Sequence, residues 1–416
     1  MGVLDTDRRV FALAFARMAD ALGNSFLIVI LPAYVASIVG ESGAAVAGLS
    51  LSTTLLVGVV LSVFGFVNSG LQPFTGRLSD NVGRRKVFIL VGLVLLGAGS
   101  AGYPFVDSYG ALVALRALQG VGGALTIPAT VALVNELGDA GTRGGNFGVY
   151  NTFRLIGFGF GPLVAGAIQQ IYGFDAAFAV AVVSAALGFL LVVVLVDDPE
   201  ETAAAAGDDI SIAVRGDDTL LDPVFTLGVA TVVVAMGIAL FATLEAPINN
   251  RLDQGAFLFG TQFGAAVLAN VVFQIPIGQA SDRYGRRPFV IAGLILLIPS
   301  TLVQGFVTTS LGMIVARLIQ GIAVALVFPI SLALAGDLAG EGRSGSTLSI
   351  LTTGFGLGTA IGPLVSGLLE GFGYVVPFAF VAGLGFVALL LVQTQVSEPE
   401  AGDPDRPPGG EPTPSE

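Results

Sequence analysis

Cysteine and histidine are both absent from this 416-residue chain. Without cysteine there are no disulfides and no thiol chemistry. Without histidine the commonest metal ligand is missing, and so is the usual acid or base of neutral solution. Any proton chemistry therefore falls to carboxylates. Charge is scarce too: Asp, Glu, Lys and Arg make up 12% of the residues, and lysine occurs once, at Lys86. There is no phosphate-binding signature of the G-x-x-x-x-G-K-[ST] kind, which argues against direct ATP drive. A cleavable signal peptide is not expected, because the first apolar run is too long and no small-residue cleavage site follows it. No metal, cofactor, nucleic acid or catalytic triad is expected, and the chain does not read as an enzyme.

What is present in abundance is apolar surface. The chain is 54% hydrophobic, with a mean hydropathy of +0.86. A soluble protein of this size has no interior large enough to hide it, so the composition reads as an all-α polytopic membrane protein. A spanning helix needs roughly 20 apolar residues, which allows about a dozen helices with short loops. The 58 glycines suit close helix packing in lipid. The net charge of −12 is concentrated outside the apolar runs. Asp197, Asp198, Glu200, Glu201, Asp208, Asp209, Asp217 and Asp218 crowd one loop. An acid-rich, lysine-poor surface suits high salt, where screening suppresses self-repulsion; an ordinary acidic linker and tail give the same composition.

Apolar helices are predicted at about 10–38, 46–72, 87–106, 110–134, 146–170 and 175–196, then at about 223–248, 257–277, 288–306, 310–334, 345–369 and 374–394. The expected organisation is a six-helix bundle over residues 1–196, an acidic cytoplasmic linker over 197–221, a second bundle over 222–394 and a disordered acidic tail over 395–416. Orientation follows from the cations. With the N-terminus inside, the inner segments hold Arg8, Arg9, Arg77, Arg84, Arg85, Lys86, Arg143, Arg215, Arg283, Arg286, Arg287, Arg343 and Arg406. The outer loops hold only Arg251. Both termini are therefore expected in the cytoplasm, with the protein in the cell membrane.

The halves repeat. Gly76-Arg77-Leu78-Ser79-Asp80-Asn81-Val82-Gly83-Arg84-Arg85-Lys86 returns 202 residues later as Gly278-Gln279-Ala280-Ser281-Asp282-Arg283-Tyr284-Gly285-Arg286-Arg287-Pro288. Arg116 to Gly120 matches Arg317 to Gly321, Glu136 matches Asp337, and Gly161 to Gly166 matches Gly362 to Gly367, all at an offset of 201. A nearly constant offset indicates a duplicated six-helix unit: two pseudo-symmetric bundles facing each other, with a site between them at mid-membrane.

These motifs resemble the major facilitator superfamily, over essentially residues 10–394. The doubled G-x-L-x-D-x-x-G-R-[RK] loop between helices 2 and 3 carries the resemblance. It implies the twelve-helix fold, alternating access and a small-molecule substrate, with a monomer as the family default. It also implies that Asp80, Arg84 and Glu136 form a charge relay at the cytoplasmic gate, mirrored by Asp282, Arg286 and Asp337. Gly76, Gly83 and Gly285 are read as turn and close-approach positions, and Arg85 as part of the same cationic cluster. The alternative is that the cations only enforce topology. The helix 5 stretch resembles the motif that marks the exporting, drug:proton antiporter branch. Gly157, Gly161, Pro162 and Gly166, repeated as Gly358, Gly362 and Pro363, permit close packing at the interface between halves.

Charges inside the apolar runs are the candidate site. Asp20 lies about ten residues into the first run. A carboxylate so placed can take and release protons near neutral pH, or simply pair with Arg17, three residues earlier. Arg116 and Arg317 lie inside helices 4 and 10, where an arginine costs at least ~2.5 kcal/mol on insertion scales. Arg116 resembles the family arginine linked to proton coupling; snorkelling is the alternative. Arg154 faces no counterpart charge, since Phe355 occupies the matching position. It is read as a counter-ion to Asp20 or a contact for an anionic substrate group. Glu245, before Pro247, is either a gating residue or solvated near the outer surface. Asn68 and Gln72, with Asn270 and Gln274, form i,i+4 pairs that line the cavity or bond across helices. The leading reading is proton-coupled efflux of small lipophilic molecules. Uptake of a sugar, organic acid or other metabolite with protons or sodium is the alternative, and a non-transporting receptor or scaffold the third.

Overall fold

A computed structural model describes residues 7–40, 43–46, 49–137, 143–198, 214–216, 219–338 and 344–398. The acids from Glu200 to Asp209, with Asp217, Asp218, Arg343, Arg406 and most of the expected tail, lie outside the described residues.

The first helix, α1 (Arg8–Val39), starts where Asp7 accepts a hydrogen bond from the Arg9 backbone N–H at 2.8 Å. The Arg9 side chain, bonded to the same carboxylate, holds the Asp7 carboxyl below its ordinary value, against the upward push of burial. The second helix does not begin at residue 46 as the apolar run implied. An antiparallel hairpin, β1 (Ala44–Val46) and β2 (Leu49–Leu51), comes first. Ser52 then caps α2 (Thr53–Val82), accepting from the Leu55 N–H. At its other end α2 runs through most of the cationic motif, so Gly76 and Asp80 are helical and not part of a turn. Gly83, with φ 65°, is the left-handed stop. Polar residues outlast the apolar run here because a helix satisfies its own backbone beyond the lipid as well as within it.

After α3 (Arg85–Gly102) and α4 (Tyr109–Glu136) comes α5 (Arg143–Leu195), whose backbone breaks from helical geometry at Gly173, φ 81°. Its two arms are the fifth and sixth spans. The second half holds α6 (Pro223–Thr243), α7 (Glu245–Leu252), α8 (Ala256–Tyr284), α9 (Arg287–Gln304), α10 (Ser310–Leu338), α11 (Ser344–Glu370) and α12 (Val376–Gln395). The expected single span over 223–248 is broken at Leu244, and α7 is too short to cross. Eleven of the described helices are long and apolar enough to span a bilayer. Counting the two arms of α5 separately makes twelve, in two bundles of six.

The bundles are joined at one end and apart at the other. At the end away from the cationic motifs one continuous core takes in Phe26, Leu56 and Phe178 from the first half and Phe241, Phe259 and Phe378 from the second. At the motif end each half keeps its own core, around Leu93 and Leu133 in the first and Leu294 and Leu334 in the second. The join is made by α2 against α11 and α5 against α8. A Cβ on Gly260 would strike the Pro162 carbonyl, and one on Gly367 the Thr54 carbonyl. Gly70 and Gly278, further toward the motif end on α2 and α8, have nothing within 4 Å. The cleft between the halves therefore opens toward the motif end.

A side chain at the join forces the halves apart where they pack most closely. Gly260→Val is expected to destabilise the protein by about 1–3 kcal/mol, read as a lower thermal midpoint in detergent, while Gly278→Val leaves the midpoint near wild type.

Candidate functional site

At the motif end, the relay predicted around Arg84 is made by Arg85. Its Nη2 lies 3.1 Å from Asp80 and 2.6 Å from Glu136, and its side chain is 4% exposed. Arg84 is the exposed residue before α3 and has no side-chain cap bond. The left-handed turn at Gly83 sets this choice: it places Arg84 outside the helix and Arg85 on its first turn, facing the ends of α2 and α4. In the second half Arg286 bonds Asp282 at 3.2 Å and Asp337 at 2.7 Å. Arg286 precedes α9 whereas Arg85 begins α3, so the two copies use non-equivalent arginines. Gly285 also takes a positive φ of 90°, but with ψ 149° where Gly83 has ψ 10°, so the two turns differ. Each relay lies within its own half; among the described residues no ion pair joins the halves.

A second pair of contacts was not foreseen. Asp198, just beyond α5, accepts from the Lys86 N–H at 2.8 Å. Glu398, just beyond α12, accepts from the N–H groups of Arg286 and Arg287 at 2.6 and 2.7 Å. In each half an acid from the last helix caps the third. An acid followed by proline, repeated 200 residues apart, is the sequence signal.

Within their spans, Arg116 and Arg317 are buried, and neither snorkels. Arg116 donates to Gln119 at 3.1 Å and to Asn24 at 3.4 Å, and stands 4.7 Å over the Phe64 ring. Gln119 donates onward to Ser100 at 3.0 Å and accepts from the Tyr103 hydroxyl. Arg317 repeats the pattern: it donates to Gln320, which donates to Thr301 at 3.1 Å, and stands 4.2 Å over Phe241. Gln119 and Gln320 are themselves repeated, three residues after each arginine.

Asp20 has no such duplicate. It is buried and ion-paired with Arg17, so Arg154 is not its direct counter-ion. Arg154 donates instead to Asn151 at 2.9 Å, is half-buried, and pairs with no described carboxylate. Tyr150 lies within electrostatic reach of Arg17, Asp20 and Arg154, and its hydroxyl meets Thr130 at 2.9 Å. A small cavity of about 20 Å³, room for one water, is lined by Asp20, Asn24, Arg116, Phe64 and Gln119, among others.

Glu245 is buried, not solvated, and accepts from Asn249 at 2.9 Å. Gln254 donates to both Asn249 and Gln262, and the Gln262 carbonyl accepts from Arg317. A polar chain thus runs through the joined end of the second half. Gln72 donates to Asn68 at 3.0 Å along α2; no described bond links Asn270 to Gln274. The helix 5 glycines divide their work. Gly157 and Gly161 press on α1 and Gly166 on Ala256 of the other half, while Pro162 offers its carbonyl face to Gly260. Gly358 and Gly362 press on α6, and the Pro363 carbonyl accepts from Thr243.

Two matched bundles, joined at one end around buried charges, define a polytopic membrane transporter. Residues 13–243 and 227–415 match the Major Facilitator Superfamily profile, and the chain belongs to that family. An uncharacterized MFS-type transporter of Methanocaldococcus jannaschii is 32% identical over 169 residues, which are 40% of this chain and 44% of that one. The quinolone resistance protein NorA of Staphylococcus aureus is 20% identical over 391 residues, 93% of this chain and 96% of NorA. The human organic anion transporter MFSD10 shares the fold, with a TM-score of 0.65 at 22% identity over 93% of this chain and 99% of that one.

Arg85→Ala leaves Asp80 and Glu136 facing each other without a cation. Turnover and thermal midpoint are both expected to fall, the latter by an equivalent of roughly 1–3 kcal/mol given partial exposure of the acids. Arg84→Ala leaves both near wild type. Stability assays and transport in proteoliposomes separate the two arginines.

Proposed function

We propose that this transporter couples small-molecule movement to protons by alternating access, with Asp20 as the proton-binding carboxylate. One observation carries the reading: Asp20 is the acid buried deep in a span of the first half, held by an ion pair that protonation breaks. A carboxylate that loses its counter-ion on protonation has two discrete states, which is what coupling requires. The cleft between the halves gives the substrate its route, and the charge relays keep each bundle rigid as the halves move. The cation distribution supports a cell-membrane location with both termini inside, so the cleft faces the cytoplasm.

Export in exchange for protons is supported by the full-length likeness to NorA. Co-transport of substrate and proton is the second reading, favoured by the excess of arginine over acid around Asp20. Either sense uses the same proton site. Asp20→Asn is expected to abolish pH-driven transport while the protein still folds, checked by substrate-triggered proton movement in proteoliposomes under an imposed pH gradient. Normal coupled flux in that variant removes Asp20 from the mechanism. Asp80→Asn is expected to slow turnover several-fold and leave substrate binding in place.

A further inference from the structure

The duplicated residues of the two halves account for Arg116 and Arg317, each held by its own glutamine and hydroxyl. They leave Arg17 and Arg154 unexplained. Arg17 pairs with Asp20 and lies within electrostatic reach of Arg154, so the three form a cluster of two cations and one anion between α1 and α5. Around it, α5 also supplies Tyr150 and Asn151, and α4 supplies Thr130 and the deeper Arg116. The lining from α2 and α3 is Phe64, Leu93, Leu96 and Ser100, with no titratable group. The cluster is thus one positive charge in excess with Asp20 ionised, and two with Asp20 protonated.

An uncompensated cation at membrane depth is unfavourable and draws an anion. Arg154 is placed to receive one. Its Nε is used by Asn151, and it is half-buried, so the two terminal amino groups keep free donors of the kind that grip a carboxylate at two points. The pseudo-symmetric position in the second half is Phe355, half-buried and packed on Phe328 with ring centroids 4.6 Å apart. One half therefore presents a guanidinium where the other presents a pair of aromatic rings.

We infer that the substrate is an amphipathic organic acid, its carboxylate held by Arg154 with Arg17 nearby and its apolar body against the phenylalanines of the second half. The inference rests on Asp20 being the proton site, and it selects co-transport over exchange. An anion arriving beside Arg17 competes with Asp20 for that guanidinium. Proton uptake by Asp20 and anion binding then assist each other, by the reciprocity of linked equilibria. A cationic substrate faces the opposite situation: it has to displace Arg17 from Asp20 beside a second arginine.

Three probes of one shape test this: 2-naphthoate, 2-naphthamide and 2-naphthylmethylammonium, titrated calorimetrically into the purified full chain in buffers of different ionisation enthalpy. The expected result is naphthoate binding at least tenfold tighter than either other probe, with proton uptake. Arg154→Gln should weaken naphthoate at least tenfold with an unchanged thermal midpoint, and Arg154→Lys should recover part of the loss. Asp20→Asn should keep naphthoate binding and lose the proton uptake. Tightest binding of the ammonium with proton release overturns the anion inference and leaves Asp20 as the proton site. Binding of none of the three also overturns it. Proton uptake that survives Asp20→Asn instead removes the reading of Asp20, and with it the co-transport, while the anion site at Arg154 stands.

Discussion

A charge inside the hydrocarbon layer has to find its partner within the protein, because neither lipid nor bulk water supplies one. That constraint orders the interior of this transporter. Arg116 and Arg317 are each buried within a half and each recruits a glutamine, a hydroxyl from the preceding helix and an aromatic ring. The pattern is the same in both halves, so it belongs to the ancestral six-helix unit and holds helices 3 and 4, or α9 and α10, in register. Asp20, Arg17 and Arg154 have no such duplicate. Features that appear once in a duplicated protein answer to something other than the scaffold, and these sit on the two helices, α1 and α5, that pack most extensively in the first half.

The same logic applies at the motif end. Each half closes its own relay, Asp80–Arg85–Glu136 or Asp282–Arg286–Asp337, and its own cap, Asp198 on α3 or Glu398 on α9. With the halves parted there, these contacts make each bundle rigid without tying one to the other. At the opposite end backbone lies against backbone through Gly58, Gly166, Gly260 and Gly367. Under the proposed alternating access, a rocking motion would exchange the two arrangements. Close glycine packing yields little energy per contact and so can be undone, whereas the intrabundle relays stay intact. Alternating access, as proposed, would thus be the motion of two stiff bodies about a soft seam.

Most of this architecture was legible in the sequence, because lipid imposes long apolar runs and duplication imposes a fixed offset. Twelve spans and the doubled motif follow from those two facts alone. What was not legible depends on backbone detail that hydropathy ignores. The start of α2 was placed seven residues early because Ala44 to Leu51 is as apolar as a helix, although Ser52 holds a cap and Gly43 takes a positive φ of 86°. The family motif assigns the relay to Arg84, yet the left-handed turn at Gly83 hands the role to Arg85, 201 residues from its functional partner Arg286. Glu245 reads as either a gating residue or a solvated one because it ends an apolar run. The chain breaks at Leu244 and folds the acid back into a buried network reaching Gln262.

The placement of charge also limits what coupling chemistry this protein can perform. A proton site works by having two electrostatic states of similar stability, and the neighbours decide which ligand charge shifts the balance. Asp20 stands beside the Arg17 guanidinium that it binds, and Arg17 in turn lies within electrostatic reach of Arg154. With Asp20 ionised, the cluster is attractive to anions; with Asp20 protonated, more so, since Arg17 is then released. Every ligand anion thereby favours the protonated carboxyl, and every ligand cation the ionised one. The sense of coupling is therefore not an independent property to be added to the fold. On the proposed reading it follows from the sign of the substrate, and the unduplicated arginine at position 154 would bias that sign toward negative.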